Sequence, residues 1–455
     1  MLGVYSIKLT DFDKLIYEKE LKSFLPKEII DFHSHIDSPY LEQYSFSNQN
    51  SSWADRVVSE GCSAENLLDI YAKVFPSNSV TPLLFGGRLT DIMGANDYVS
   101  ESAKKYGFNA LYCTDYTMDA DFLEAEIKKK GFIGIKSSLS NPPEYIPEKE
   151  MRIFDCLPQS HLEICNKNNL MVLLRIPRDG RLKDPVNLVQ IANIEKQYPN
   201  IKLVIAHIGR AYAKEDIGNA FDIIGKGENT YFDFSANLCD DAIEECIKAV
   251  GPKKLIFGSD LPVATMRMYR IVENGVYYNV VPRGMYEMAD GEPHMRTSDR
   301  RDITIMIYEQ LLALKRVAHK LKLSDSDIES IMFSNAKSLI DQCKNNLLAA
   351  GDETFGLIIN TIESNLSNHV TIESLAKMCN LSASNLKQIF KKHYSGGVMK
   401  YYTQRKIEKA KALMKEGYSA SQISSMMGFS SQNYFTNVFK RETGVLPSEY
   451  KKGKF

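Results

Sequence analysis

The chain has 455 residues, 25% of them charged and 44% hydrophobic, with a formal net charge of −1. That is the composition of a globular protein, and the length calls for more than one domain. No run approaches the ~18 consecutive apolar residues of a membrane-spanning helix, which excludes that class. The N-terminus, MLGVYSIKLTDFDKL, carries acids early and lacks the apolar stretch of a signal peptide. Eight scattered cysteines with no C-x-x-C pair read as reduced thiols of a cytoplasmic protein, not as a disulfide framework or a zinc knuckle.

The near-neutral total hides an asymmetry. Residues 352–455 hold 15 Lys and Arg against 8 Asp and Glu, whereas the preceding residues hold 41 against 49. A basic tail on an acidic body is the footprint expected when one part meets a polyanion and the other does not.

In chain order, the first elements are short apolar runs suited to strands. They are EIIDFHSHI from Glu28, VTPLLFGG from Val80, FNALYCTDY from Phe108, FIGIKSSL from Phe132, LMVLLRIPR from Leu170, KLVIAHIGR from Lys202, TYFDFSAN from Thr230 and KLIFGSDLPV from Lys254. Between most of them lie stretches with apolar residues at helical spacing, such as Asp121–Lys130, Leu188–Tyr198 and Asp240–Val250. Near-continuous apolar strands separated by helices indicate a parallel sheet buried on both faces. Eight such units in so short a span fit an α/β fold of the (β/α)8 TIM type, with an open doubly wound sheet as the alternative.

After strand eight, 266–301 reads as an irregular segment over the barrel mouth. Helices are expected over Asp302–Leu321 and Ser326–Gln342, and Gly351-Asp352 marks a break. The domains are therefore expected at 1–350 and 351–455, the second all-helical.

Within the second domain, Thr371 is placed to cap a helix with Ile372, Leu375, Ala376 and Cys379 inward. Asn380-Leu381-Ser382 makes a turn, and Ser382 caps a second helix with Leu386, Ile389 and Phe390 inward. This is helix-turn-helix logic, in which one helix braces and the next offers a polar face to the major groove. Ser419–Met427, Gly428-Phe429 and Ser430–Glu442 repeat the plan, joined to the first unit by a long helix over Met399–Lys415. Phe390, Phe429, Phe435 and Phe439 are core candidates.

LAKMCNLSASNLKQIFKK, RKIEKAKALM and ISSMMGFSSQNYFTNVFKRETGVLPSEY resemble the AraC/XylS family of transcription regulators, over essentially all of 354–452. Two departures are mild: His393-Tyr394-Ser395-Gly396-Gly397 loosens the usual turn, and Ser424-Ser425 replaces a small apolar pair. The resemblance implies two recognition helices entering successive major-groove turns of double-stranded DNA. Carried onto this sequence, the base-facing candidates are Ser384, Lys387 and Gln388, then Gln432, Asn433, Thr436 and Asn437. Gln and Asn suit adenine and Lys suits guanine. Lys391, Lys392, Arg405, Lys440 and Arg441 are candidates for phosphate contacts or helix-end charges.

In a barrel of this kind, chemistry sits at the C-terminal ends of the strands. Strand one ends in Asp31-Phe32-His33-Ser34-His35, and histidines at i and i+2 on an extended strand point the same way, as two ligands to one cation require. Strand four ends at Lys136, strand six at His207 and strand eight at Asp260. DFHSHID, GIK, AHIGR and FGSDLP together resemble the amidohydrolase superfamily, in its decarboxylase- and lactonase-like branch, over about residues 25–340.

Members of that branch with one metal usually offer a strand-five histidine, and here Arg175 stands in its place. A guanidinium is no ligand. His33, His35 and Asp260 remain as a metal set, zinc being the best-suited divalent ion, with His207 nearby. A site without metal stays open, in which Asp260 is the general base for water and His207 polarises a carbonyl. Lys136 is read as a plain ammonium and not as a carbamate.

Arg88, Arg175, Arg178, Arg210, Arg267, Arg283 and Arg296 recur near the inferred mouth. Half are expected to pair with loop acids. The functional reading is grip on an anionic ligand, with Arg175, Arg178, Lys136 and Arg210 as the candidates. His294 is a further residue within reach of that mouth.

A DNA-binding module fused to an enzyme-like barrel suggests a ligand-responsive regulator that senses a small carboxylated metabolite. The alternative is a working hydrolase or decarboxylase that also binds DNA. A homodimer is compatible with either, although no heptad repeat marks an interface.

Overall fold

The computed structural model describes residues 7–38, 61–87, 91–137, 145–286, 289, 291–350, 353–394, 397–415 and 417–451. Gly351-Asp352, Arg88, Ser395 and Gly396 lie outside them, as do the side chains of Lys392 and His393. The chain divides into two compact units, Met1–Lys344 and Asn345–Phe455.

The first unit is the expected barrel. Its strands are β1 (Glu28–Ile36), β2 (Ser79–Gly86), β3 in two pieces (Asn109–Ala110 and Tyr112–Thr114), β4 (Gly134–Ser137), β5 (Met171–Leu174), β6 (Lys202–Ile205), β7 (Thr230–Asp233) and β8 (Leu255–Ile256). Each pairs in parallel with the next. The ring is completed by backbone bonds between β1 and the residues after β8. The Phe32 amide donates to the Phe257 carbonyl (3.0 Å), the Asp260 amide to the His33 carbonyl (2.9 Å), and the His35 amide to the Leu261 carbonyl (2.9 Å). These bonds bring β1 beside the chain after β8, as a (β/α)8 arrangement requires.

Helices alternate with the strands because their starts are capped. The side chains of Ser63, Asp91, Asp119 and Asp184 accept backbone N–H bonds at the beginnings of Ala64–Val74, Ile92–Tyr106, Ala120–Lys130 and Pro185–Gln197. The barrel interior is filled by Ile30, Leu83, Leu111, Ile133, Met171, Leu173, Val204 and Ile256. The helix Asn335–Ala350 adds Ala336, Leu339, Ile340 and Cys343 to the same cluster.

The segment after β8 corrects the sequence expectation. It is not irregular, because 266–301 contains a three-stranded sheet of β9 (Tyr269–Glu273), β10 (Val276–Pro282) and β11 (Met295–Ser298). β9 and β10 form a hairpin around Asn274-Gly275, whose φ angles of 52° and 76° are those a tight two-residue turn demands. Asn-Gly between β-rich runs is the strongest short hairpin signal in a sequence and was legible in VENGVYY.

The second unit is helical throughout its described residues. Its helices are Glu353–Ser364, Ile372–Met378, Ala383–His393, Val398–Lys415, Ala420–Met426, Gln432–Thr443 and Pro447–Lys451. Thr371, Ser382, Ser419 and Ser431 cap four of them. Leu375, Ala376, Cys379, Leu386, Phe390, Phe435 and Phe439 are buried in one core, with Ile389 and Phe429 partly buried against it.

Candidate functional site

The ends of β1, β4, β7 and β8 bring ionisable side chains to one point. The register of β1 against β2 slips between Asp31 and Ser34, a bulge that re-aims the strand where its histidines begin. Nδ1 of His33 lies 2.9 Å from Oδ2 of Asp233, both side chains being fully buried. Nε2 of His33 and Nε2 of His35 lie 3.5 Å and 3.3 Å from the same Oδ1 of Asp260. The two histidines therefore share a side, as their spacing requires.

His207 enters on an unusual backbone. His207, Ile208, Gly209 and Arg210 all have φ between 47° and 59°, a left-handed turn that is strained at β-branched Ile208. Side chains hold it there. The His207 amide donates to Oδ1 of Asp233 (2.9 Å), and Nδ2 of Asn237 donates to the carbonyls of His207 (3.2 Å) and Ala211 (2.9 Å).

The tautomers follow from these contacts. Burial would raise the Asp233 carboxyl, but the His33 charge and hydrogen bond, His207 and Ser235 hold it well below the usual carboxylate range. An ionised carboxylate only accepts, so Nδ1 of His33 carries the proton. Nδ1 of His207 faces the Ser235 carbonyl at 2.9 Å, again an acceptor, so it too is protonated there. Both Nε2 atoms then carry their lone pairs. Burial, followed by the Lys136 charge, lowers His33 and brings His35 down to about 4, and burial brings His207 to about 4. Asp260 is held low against burial by His35, His207 and His33.

One ligand atom each from His33, His207 and Asp260 lie within 4.8 Å of one another. Neutral imidazole nitrogens and an ionised carboxylate are the donors that zinc and manganese take, with the far ring nitrogens hydrogen-bonded as metal-binding histidines require. The residues present fit one divalent ion. The sequence reading had placed His35 in that set and His207 beside it, whereas the close trio contains His207.

Lys136 stands within this centre. Its Nζ is 2.8 Å from Nε2 of His33 and 4.0 Å from the centroid of the Phe85 ring. Burial brings its pKa down to about 8, with Asp260 pulling the other way and Arg175 adding to the fall.

The arginines sort by partner. Arg178 pairs with Asp184 (3.0 Å), Arg267 with Asp13 (2.5 Å) and Arg283 with Asp299 (2.8 Å). Arg210 instead donates to the carbonyl of Pro177 (2.6 Å), and Arg296 lies 3.8 Å over the Tyr278 ring. No hydrogen bond or ion pair joins Arg175 to the described residues, and its charge acts on both Lys136 and Arg210. His294 stacks on Tyr277 (4.4 Å) and is not drawn into the histidine cluster.

Sequence reasoning missed Asp233 and Ser235, which orient both histidines. Asp233 ends β7 and Ser235 follows it in TYFDFSAN, and the rule that singled out Asp260 applies to them equally. It also missed Arg181 and Arg270, whose guanidinium carbons lie 4.6 Å and 5.1 Å from the Tyr277 ring centroid.

In the second unit Ser384, Lys387, Gln388 and Lys391 are exposed along Ala383–His393, and Gln432, Asn433, Asn437 and Lys440 along Gln432–Thr443, with Thr436 half-buried. Arg405 is taken by Glu363 (2.7 Å) and also pairs with Glu408. Arg441 lies 3.0 Å from Glu442. Both arginines are engaged within the unit.

A family model described as amidohydrolase matches residues 89–340, more than half of the chain, and the chain belongs to that family. A second, described as a helix-turn-helix domain, matches residues 375–453, and the C-terminal unit is of the AraC type. Among curated proteins, the uncharacterized transcriptional regulator YpdC of Escherichia coli is 26% identical over 115 residues, 25% of this chain and 40% of that protein. The raffinose operon regulatory protein RafR of Pediococcus pentosaceus is 33% identical over 108 residues, 24% of this chain and 39% of that protein. The similarity thus spans well under half the length of either relative. Among solved structures, a probable 2-pyrone-4,6-dicarboxylic acid hydrolase from Acinetobacter baumannii with citric acid bound is 15% identical. It has a TM-score of 0.45, covering 69% of this chain and 99% of that one.

Proposed function

We propose that this protein is a sequence-specific, DNA-binding transcription regulator whose amidohydrolase barrel senses a small carboxylated metabolite. The observation that carries this reading is the pairing, in one chain, of two capped helices with polar outward faces and a barrel whose fifth strand leads into Arg175. An arginine with no hydrogen-bond or ion-pair partner among the described residues, beside Lys136 and Arg210, is suited to grip a carboxylate, and sensing needs binding but no turnover. Regulation would follow if the ligand binds one barrel arrangement better than another and that difference alters DNA affinity. Such a role belongs in the cytoplasm, and among the described residues no helix is long and apolar enough to cross a membrane.

The test is a gel shift of the full chain on DNA flanking its own coding region, with and without sugar acids, dicarboxylates, aromatic acids and lactones. Specific binding altered by one of these is expected. Equal affinity for specific and scrambled DNA would overturn the reading.

A second reading, a hydrolase or decarboxylase that also binds DNA, is favoured by the convergence of His33, His207 and Asp260. There Asp260 would deprotonate water and His207 would polarise a carbonyl. One divalent ion, zinc the best suited, would acidify that water if bound. Turnover of the ligand that shifts the protein's melting temperature would favour it.

A further inference from the structure

We propose that Lys136 is the resident cation of the barrel centre and competes with a metal ion for the Nε2 lone pair of His33. The Nδ1 side of that ring is committed, because it donates to Asp233 at 2.9 Å. Nε2 has one lone pair, and the Lys136 ammonium lies 2.8 Å from it. A metal at the His33–His207–Asp260 trio would need the same lone pair. The two cations are therefore mutually exclusive at His33.

Lys136 is built into this position rather than reaching it from a loop. It lies within β4 between buried Ile135 and Ser137, and its Nζ rests 4.0 Å over the centroid of the Phe85 ring, a cation–π contact that favours the charged form. The ionic balance agrees. Asp233 and Asp260 are the carboxylates whose charge acts on Lys136, and Lys136 and Arg175 supply two positive charges against them. A dication added to that set would bring an uncompensated double charge into a buried site, which is costly. Displacing the lysine removes only half of the excess.

Lys136 thus keeps His33 as an acceptor and, together with Arg175, offsets the charges of Asp233 and Asp260. This inference concerns the barrel centre alone and holds whether or not the C-terminal unit binds DNA.

The experiment is zinc binding to the full chain, stripped with a chelator and titrated at neutral pH against a chromophoric competitor. Lys136→Met keeps the length of the side chain and removes its charge. It is expected to bind one zinc per chain at least about tenfold more tightly than the unsubstituted protein, as removal of an adjacent like charge requires. The gain is expected to vanish when His33→Ala is added. Lys136→Gln serves as a second variant, and thermal unfolding of each establishes that it is folded. Equal affinity in folded variant and parent would overturn the proposal, as would no binding by either. Weaker zinc binding after substitution would overturn it too, by making Lys136 a ligand.

Discussion

Nδ1 of His33 and Oδ2 of Asp233 lie 2.9 Å apart, one on the first barrel strand and one on the seventh, with neither side chain reaching solvent. The other oxygen of Asp233 accepts the amides of His207 (2.9 Å) and Ser235 (3.0 Å) and the Ser235 hydroxyl. One carboxylate therefore holds the His33 ring and the His207 backbone at once. Asp233→Asn replaces a charged acceptor facing His33 by a neutral one, and is expected to cost about 1.5–3 kcal/mol of stability. Zinc titration of the folded fraction should show weakened binding as well. An unchanged denaturant midpoint would show that Asp233 does not order the site.

A second buried carboxylate ties the N-terminal helix to the barrel. Asp13 accepts from Arg267 (3.0 Å) and Thr304 (2.7 Å), and although burial would raise its carboxyl, Arg267, Thr304 and Thr10 together hold it below its ordinary value. A carboxyl lowered in the folded state binds its proton more weakly there than in the unfolded chain. Its stabilisation is thus complete above the ordinary pKa near 3.8 and is lost as pH falls through the lower folded value. Asp13→Asn should destabilise at pH 7 by roughly 3 kcal/mol, since Arg267 is left without its counter-charge. The gap from the parent should narrow below about pH 4. Melting curves from about pH 7 down to about pH 3, which include the carboxylate range, check both statements.

Gly428 turns the second helix-turn-helix at a φ of 60°, and a Cβ built there would lie 2.6 Å from the Ser367 carbonyl oxygen. That oxygen is backbone and has little room to retreat. Gly428→Ala should therefore lower the stability of the C-terminal unit by about 1–3 kcal/mol through strain, read as a fall in its unfolding midpoint. An alanine variant as stable as the parent would mean that the turn relaxes.

The outward residues of the two recognition helices should separate by role. Gln432→Ala or Asn433→Ala is expected to reduce preference for cognate over scrambled DNA by about 1–3 kcal/mol. Lys391→Ala should weaken both equally and lower the slope of affinity against salt by about one. Arg405→Ala should instead lower stability, because Arg405 is held by Glu363. Gel shifts at two salt concentrations distinguish these patterns.

Much of this was legible from the residues. The eight apolar runs carry the barrel because a parallel sheet covered on both faces leaves few polar positions along a strand, and the polar ones that remain at strand ends mark the site. The spacing of His33 and His35 predicts a shared side, and both reach Asp260. The caps Thr371, Ser382 and Ser419 mark helix starts because their hydroxyls satisfy backbone N–H groups a few residues away. The β9–β10 hairpin was equally local and was overlooked, although Asn274-Gly275 announces it.

What the residues alone determined is whatever depends on near neighbours in the chain: strand and helix positions, the two helix-turn-helix units and the identity of the groups at each strand end. What only the tertiary structure decided is which of those groups meet. Asp233 is 200 residues from His33, Lys136 is 103 residues from the same ring, and Arg178 pairs with Asp184 while the charge of Arg175 acts on Lys136. No local pattern encodes such pairings, because barrel closure sets distances between strand ends far apart in sequence. At those distances, a single lone pair or ammonium group settles the chemistry.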